Sequence, residues 1–297
     1  MSTPVEQPDK QPAEHPDGQP VGYPDGQPGS DRRRSGPLRW IIRPAAPLVL
    51  GAVVLGGWQA WCQWREVPAY LFPSPAAVGE AFLENRPELL DAAWVTLRTT
   101  LAALALAIVS GVLLALVLTS SRLVELCLFP YAVVLQVTPL VAIAPLLLLW
   151  IEEPWKVLLV CAWIVAFFPM LSSTVIGLRS ADRGLRDLFA LYGASGWQRF
   201  WLLLTPSALP YFLSGLRVSV NLSLIGAVVG EFVTGANAER PGLATIVFEA
   251  QYRTDMDRTF AALAMISVLG VSLYFTTHLL SQWLLGRWHE SEMSEVR

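Results

Sequence analysis

The architecture of this chain is decided by one stretch: Asp187-Leu188-Phe189-Ala190-Leu191-Tyr192-Gly193-Ala194-Ser195-Gly196-Trp197-Gln198-Arg199-Phe200-Trp201-Leu202-Leu203-Leu204-Thr205-Pro206. Apolar side chains recur at helical spacing on both sides of a central break, which predicts two amphipathic helices: Leu185, Leu188, Phe189 and Tyr192, then Trp197, Phe200, Trp201 and Leu204. Gly193 is suited to ending the first helix, and the side chain of Ser195 can cap the second. Two short helices with a sharp break between them make a poor membrane span and a good platform for a partner protein.

The composition places this stretch in a membrane protein. Hydrophobic residues make up 54% of the chain and charged residues 15%, which is unlike an ordinary soluble domain. Crossing a bilayer takes about 20 mainly apolar residues, and several segments of the sequence qualify. We predict six spans, at residues 44–64, 95–119, 124–151, 157–178, 209–232 and 260–285.

Positive charge is distributed unevenly over the loops between these spans. If the N-terminus lies inside, thirteen Lys and Arg residues fall on inner segments and six on outer ones, with Arg98 and Arg217 left out because they lie in or at the edge of spans. This is the asymmetry of the positive-inside rule. It predicts that both termini and the 187–206 stretch face the cytoplasm.

The third predicted span contains three prolines, Pro130, Pro139 and Pro145. Proline removes a backbone donor and breaks a regular helix, and a membrane tolerates such a break only where protein or a wet cavity satisfies the freed carbonyls. The segment around Gln136, Thr138 and Pro139 is therefore a candidate part of a transport path. A kink that only fits helix packing explains the prolines equally well.

Polar residues in the fifth predicted span are further candidates for such a path. Ser214, Arg217 and Asn221 lie three and four positions apart, so they share one helical face. An intramembrane charge is costly, which makes Arg217 a functional candidate; the alternative is a structural arginine that pairs with a carbonyl or an acidic group. Glu231, at the outer end of this span, is a candidate gate or contact for an outer partner, and the alternative is a solvated carboxylate at the helix end.

Two short helices are predicted in the outer loops. Ser74 is suited to capping a helix that has Pro75 at its first position. The later segment has one apolar face, as expected of a helix that packs back against the spans, formed by Leu243, Ile246, Val247 and Ala250. The sequence shows no metal-ligand spacing and no paired catalytic groups within the spans, so we expect no metal site and no catalytic residue, which argues against a membrane-embedded enzyme.

Several local motifs follow one another in a characteristic order: Phe72-Pro73-Ser74-Pro75, Thr138-Pro139-Leu140-Val141-Ala142-Ile143-Ala144-Pro145-Leu146, Phe168-Pro169, Ala208-Leu209-Pro210-Tyr211, Gly215-Leu216-Arg217, Gly230-Glu231-Phe232 and Gly242-Leu243. The 187–206 stretch adds an acidic residue, a glycine six positions later and an aliphatic-x-x-proline ending, an order similar to the EAA loop. Together these motifs resemble the nitrate/sulfonate/taurine-type branch of the binding-protein-dependent ABC importer permeases, over about residues 45–285. Leu188 and Phe189 stand where that family usually has two alanines, which predicts a bulkier contact with a dedicated ATPase.

The resemblance implies an all-α membrane protein of six transmembrane helices, with the type I ABC importer permease (MetI-like) fold and a cytoplasmic coupling helix. It implies that two permease chains pair, as a homodimer, that a cytoplasmic ABC ATPase docks on each, and that an extracytoplasmic solute-binding protein delivers the solute. The ATPase-docking residues that it assigns are Asp187, Leu188, Phe189, Tyr192, Gly193, Ala194, Ser195 and Pro206. The chain has no Gly-x-x-x-x-Gly-Lys-Ser/Thr phosphate loop, so we expect ATP to be used by the partner subunit and this chain to be no enzyme and to bind no cofactor.

The predicted organisation follows from the composition and from this resemblance. Residues 1–37 are rich in Pro, Gly and Gln and predict a disordered cytoplasmic tail; residues 38–92 hold the first transmembrane helix and an outer loop, residues 93–286 the permease domain, and residues 287–297 a cytoplasmic tail. The expected location is the plasma membrane of a bacterium, with the lipid bilayer and no nucleic acid as a partner. The implied solute is a small polar organic molecule or anion, either sulfonate-, nitrate- or taurine-like or a pyrimidine vitamin precursor. The alternative is a stand-alone secondary transporter or channel, which would leave the amphipathic 187–206 stretch unexplained.

Overall fold

The structure of the protein is a computed structural model that describes residues 38–68, 70–235 and 240–285, with side chains from residue 49 onward. The predicted tails at residues 1–37 and 287–297 lie outside the described residues. The chain divides into two units, Met1–Ala52 and Val53–Arg297. The first contains the beginning of the first helix, and the second contains the remainder of that helix and all of the later ones.

The described residues form helices joined by turns. In chain order the helices are α1 (Leu38–Trp64), α2 (Pro75–Glu84), α3 (Arg86–Ser120), α4 (Arg122–Val137), α5 (Leu140–Trp150), α6 (Pro154–Arg179), α7 (Arg183–Leu191), α8 (Gly196–Arg199), α9 (Thr205–Thr234), α10 (Leu243–Tyr252) and α11 (Met256–Leu285). Residues Phe200–Leu204 form a π-helical turn, so that α8, this turn and α9 run as one helix of 39 residues.

Among the described residues, four helices are long and apolar enough to cross a membrane: α3, α6, the continuous α8–α9 helix and α11. Helices α4 and α5 qualify together as a fifth span, but they are bent by 99° at the break between them. These five correspond to the second through sixth predicted spans. The first predicted span falls within α1, a helix of 27 residues, and stays a prediction because the side chains of its first part lie outside the described residues. The all-α membrane fold is confirmed.

Helices α6 and α9 form the central pair of the bundle and run antiparallel. Their backbones approach closely at glycines: a Cβ built on Gly226 would lie 2.7 Å from Cα of Ala162, and one built on Gly215 would lie 2.6 Å from Cβ of Ser173. Without water to drive helices together, small residues that allow close packing hold such pairs in a membrane. The hydroxyl of Ser219 adds a hydrogen bond of 2.9 Å to the carbonyl of Ala166.

At one end of the bundle, α2 and α10 pack on the ends of α3 and α11. The buried side chains of this layer are Ala81, Leu89, Ala92, Leu243, Ile246, Val247, Ala261 and Ala262. Ser74 caps α2 by accepting the amide of Ala77 at 3.3 Å, and Pro75 occupies the first turn. Both short helices predicted for the loops are therefore confirmed, and we call this end of the bundle the α2/α10 face.

Candidate functional site

Helix α7 forms the first half of the segment predicted to dock an ATPase, residues 183–206, which we call the docking loop. It lies at the end of α6 and α9 that is remote from the α2/α10 face. Its N-cap is Asp182, whose carboxylate accepts the amide of Leu185 at 3.1 Å. After its last residue, Leu191, the helix is terminated by Gly193, which has φ +65°. The amides of Gly193 and Ala194 donate to the carbonyls of Ala190 and Phe189 at 3.1 and 3.0 Å. This pair of bonds is a Schellman motif, so the predicted helix end at Gly193 is confirmed.

Ser195 begins the second helix of the docking loop, as predicted. Its hydroxyl oxygen accepts the amide of Gln198 at 3.3 Å, and Oε1 of Gln198 accepts the amide of Ser195 at 2.8 Å, which is a capping box. The helix continues past Pro206: the amide of Thr205 donates to the carbonyl of Phe200 across the π-helical turn, and Pro206 then occupies the first turn of α9. The docking loop is therefore directly continuous with a membrane-spanning helix.

Part of the exposed surface of α7 is apolar. None of its residues is buried, and the exposed side chains include Leu185 (46%), Leu188 (45%) and the adjoining Tyr192 (83%). Phe189 is half-buried and Asp187 is exposed, so the predicted apolar stripe is divided between an outward part and one inward-facing phenylalanine. Contiguous apolar surface of this kind marks an interaction site.

The break in the third predicted span lies at the position that the prolines predict. Helix α4 ends at Val137 and α5 begins at Leu140, after Pro139. The hydroxyl of Thr138 donates to the carbonyl of Val134 at 2.6 Å, and the neighbouring Gln136 is exposed. The break itself is confirmed, and its role in a transport path stays a prediction.

The polar residues of α9 have different surroundings. Ser214 is exposed, and Arg217 and Asn221 are half-buried. Nε of Arg217 is buried, and among the described residues the guanidinium has no hydrogen-bond or ion-pair partner, so the carbonyl or acidic partner of the structural alternative is not found there. The side chain of Arg217 remains a candidate for contact with a solute or a second chain.

Glu231 is not the solvated helix-end carboxylate that was one of the alternatives. It is 1% exposed, its Oε1 accepts the hydroxyl of Thr96 in α3 at 2.7 Å, and its Oε2 accepts the amide of Ala244 at 2.9 Å. The amide of Leu243 donates to Oγ1 of Thr96 at 3.0 Å. Side chains of α3 and α9 therefore cap the N-terminus of α10, whose own N-cap residue, Gly242, has no side chain to do so.

Sequence reasoning missed the partners of Glu231. Thr96 and Glu231 are 135 residues apart, and no spacing in the sequence connects them. Gly242 lies so close to the carboxyl group that a Cβ there would be 2.1 Å from Cδ of Glu231. The motif Gly242-Leu243 contributed to the family resemblance, and the structure explains its glycine: any larger side chain would collide with the carboxyl group of Glu231.

Comparison with known proteins agrees with this architecture. The family described as "Binding-protein-dependent transport system inner membrane component" matches residues 107–286. The riboflavin transport system permease of Chloroflexus aurantiacus is 34% identical over 236 residues, covering 79% of this chain and 86% of the relative. The formylaminopyrimidine transport permease of Halalkalibacterium halodurans is 36% identical over 207 residues, covering 68% and 80%.

More distant relatives include permeases named for aliphatic sulfonates, nitrate and taurine, in line with the predicted branch. Among solved structures, the crystal structure of an amino acid ABC transporter resembles this fold with a TM-score of 0.58 at 17% identity, over 68% of this chain and 96% of that one. At that identity the likeness concerns the fold alone.

Proposed function

Because the chain belongs to the family of binding-protein-dependent transport system inner membrane components, and is thus the permease subunit of an ABC importer, we propose that α7 is the element by which an ATPase drives it. The observation that carries this proposal is the exposed apolar surface of a helix with no buried residue. The helix is capped by Asp182 at its start and by a Schellman turn at its end, so it is preformed and loses little conformational freedom on docking. ATP hydrolysis belongs to the ATPase chain.

Docking requires α7 to lie on the cytoplasmic side, which the distribution of positive charge supports. Two tyrosines of similar exposure, Tyr192 after α7 (83%) and Tyr252 at the end of α10 (88%), provide matched reporters. With the exposed Cys127 replaced by serine, Tyr192→Cys should react with an impermeant maleimide only from the cytoplasmic side and Tyr252→Cys only from the other. The reverse pattern would remove the docking proposal.

Copurification tests the docking itself. Tyr192→Glu places a charge in the apolar contact and should abolish retention of the ATPase by the tagged permease, whereas Tyr192→Phe should retain it. Tyr252→Glu makes the same change at an equally exposed tyrosine and should leave retention unchanged. Full retention of the ATPase by Tyr192→Glu would show that the ATPase docks elsewhere.

The solute that we propose is a small polar molecule with a nitrogen heterocycle. The support is that the relatives named for riboflavin and formylaminopyrimidine transport are 34% and 36% identical, against 27%, 25% and 27% for those named for sulfonates, nitrate and taurine. Selectivity in such importers is set first by the binding protein. A thermal-shift screen of that protein should show stabilisation by a pyrimidine or flavin, and stabilisation by taurine, an alkanesulfonate or nitrate alone would overturn the assignment.

The assembly that we propose contains two copies of this chain. The described residues contain one set of spans and one docking loop, which is half of what a symmetric ATPase pair needs. When two differently tagged copies are expressed together with the ATPase, each tag should recover the other. Recovery of a different permease chain in place of the second copy would establish a heterodimer.

A further inference from the structure

The C-terminal end of α6 is capped by a side chain of α7. The last carbonyls of a helix have no partner within it, and Nη2 of Arg186 donates to two of them, those of Leu178 at 3.2 Å and Arg179 at 3.1 Å. The hydroxyl of Ser180 donates to a third, that of Gly177, at 2.8 Å. A guanidinium at the negative end of a helix forms charge-assisted hydrogen bonds, which are stronger than neutral ones.

Arg186 joins α7 to the membrane-spanning part of the protein. It is half-buried on the inward side with Phe189, whereas Leu185 and Leu188 point outward. Within the part of the chain that the structure describes, its two bonds are the only side-chain hydrogen bonds that join α7 to a membrane-spanning helix. Arg183, one turn earlier, is exposed and makes no side-chain hydrogen bond to the described residues.

The same end of α6 is also joined to α4. Nη1 and Nη2 of Arg179 donate to Oε1 and Oε2 of Glu125, both at 2.7 Å, in a bidentate pair. Glu125 lies in the first turn of α4, the helix that leads to the break at Thr138 and Pro139. The pair is partly exposed, at 46% and 24%, so its contribution to stability is small, but its two parallel bonds join α4 to α6 in a defined geometry.

We propose that Arg186 and the Arg179–Glu125 pair are positioning residues that transmit movement of α7 to α6 and α4, and so to the broken segment of the third span. This proposal rests on the proposed docking of α7 to an ATPase. Arg186 binds the carbonyls of Leu178 and Arg179, and the side chain of Arg179 binds Glu125 of α4. A movement of α7 is therefore passed to the end of α6 and from there to α4. Without Arg186, α7 loses its side-chain hydrogen bonds to α6 and stays joined to the spans only through the connections at its two ends.

The test measures whether nucleotide on the ATPase changes the accessibility of the broken segment. Gln136→Cys in a Cys127→Ser background places an exposed thiol at the break, while Cys62 and Cys161 are buried. The permease–ATPase complex in nanodiscs is treated with an impermeant maleimide, with and without ATP and vanadate. With Arg186, Arg179 and Glu125 unaltered, the labelling rate of the thiol should change when nucleotide is added. Arg186→Ala should reduce the ratio of the two labelling rates at least about fivefold, the lower end of typical coupling between sites, while the ATPase stays bound.

Four further single variants and one double variant complete the experiment. Arg183→Ala removes the same charge from the same helix without touching α6, and it should keep the full response. Arg186→Lys should recover part of it, because a lysine can reach one carbonyl but lacks the planar fork. Glu125→Arg and Arg179→Glu should each weaken the response to nucleotide. The double variant restores the ion pair with its charges exchanged and should recover part of the response, whereas two independent local folding defects would add up.

The outcomes separate this proposal from the one on which it rests. Failure of the unaltered complex to retain the ATPase contradicts the proposed docking. Retention with no nucleotide response at Gln136→Cys, or a full response in Arg186→Ala, contradicts transmission through Arg186 while leaving docking in place. Loss of the ATPase in Arg186→Ala would make Arg186 a docking residue and would equally overturn its role in transmission.

Discussion

Replacement of Gly242 by alanine tests how tightly α10 is held by the buried carboxyl group of Glu231. A Cβ at this position would lie 2.1 Å from Cδ and Oε1 of Glu231 and 2.4 Å from Oε2, far inside the contact distance. Gly242 has φ −88° and ψ 178°, an extended conformation that alanine adopts freely. The effect of the substitution therefore comes from the collision alone.

The carboxyl group cannot move aside without loss, because Thr96 and Ala244 hold it at 2.7 and 2.9 Å. Overpacking a tight site costs about 1–3 kcal/mol, and leaving a buried polar group unpaired costs about 1–3 kcal/mol more. We therefore expect Gly242→Ala to destabilise the protein by about 2–6 kcal/mol. Gly79→Ala is the control: Gly79 lies in α2 with nothing within 4 Å of its Cβ position, and this change should stabilise by about 0.5–1 kcal/mol.

Thermal exposure of buried thiols provides the assay. Cys62 and Cys161 are 6% and 0% exposed, so in a Cys127→Ser background a fluorogenic maleimide reacts only when the protein unfolds. Because membrane proteins often unfold irreversibly, variants are compared at one heating rate. The expected order of apparent melting temperature is Gly242→Ala lowest and Gly79→Ala at or above the parent.

A double substitution distinguishes the collision from a general weakness of the loop. Glu231→Ala alone loses the cap of α10 and should destabilise, and Gly242→Ala added to it finds the space of the carboxyl group empty. The two changes should then be non-additive by at least about 1 kcal/mol. Strict additivity, or a Gly242→Ala variant as stable as Gly79→Ala, would refute the assignment of Glu231 as the anchor of α10.

Three further outcomes follow from the described contacts. Thr96→Val removes the hydroxyl that joins Glu231 to α10 and should destabilise by about 1–3 kcal/mol in the same thiol assay, whereas Thr100→Val, which removes a hydroxyl bonded only within α3, should be nearly neutral. Gly193→Ala should destabilise the end of α7 by about 1 kcal/mol because φ is +65°, which is measured as faster amide hydrogen exchange there. Gly196→Ala is the control and should leave that exchange unchanged. Equal exchange rates in the two variants would contradict the role of the positive φ. Gly226→Ala should lower the apparent melting temperature because its Cβ would lie 2.7 Å from Ala162, and an unchanged value would show that α6 and α9 can separate at no cost.

Much of the docking loop could be predicted because its determinants are local. The helix end at Gly193, the cap at Ser195 and the break before Pro139 each depend on residues within one turn of the position concerned. The apolar spacing of Leu185 and Leu188 likewise predicted a helix, since periodicity is a property of consecutive residues.

The same reasoning was incomplete where burial decides the role of a residue. Glu231 could be interpreted as a gate, a contact or a solvated carboxylate, and only packing shows that it is buried against α3 and α10. Phe189 belongs to the predicted apolar stripe but is half-buried, which helical spacing alone does not predict. The prolines of the third span predict a break but not its angle, and the helices on either side of the break are bent by 99°.

The sequence by itself therefore determined that this is an all-α membrane protein with a preformed amphipathic element between its spans, because hydrophobicity, helical period and capping are encoded in neighbouring residues. Only the tertiary structure decided that Arg186 caps α6, that Glu231 and Thr96 cap α10, and that Gly242 leaves room for the carboxyl group. Those contacts join residues up to 147 positions apart, and they exist only once antiparallel helices have brought their ends together.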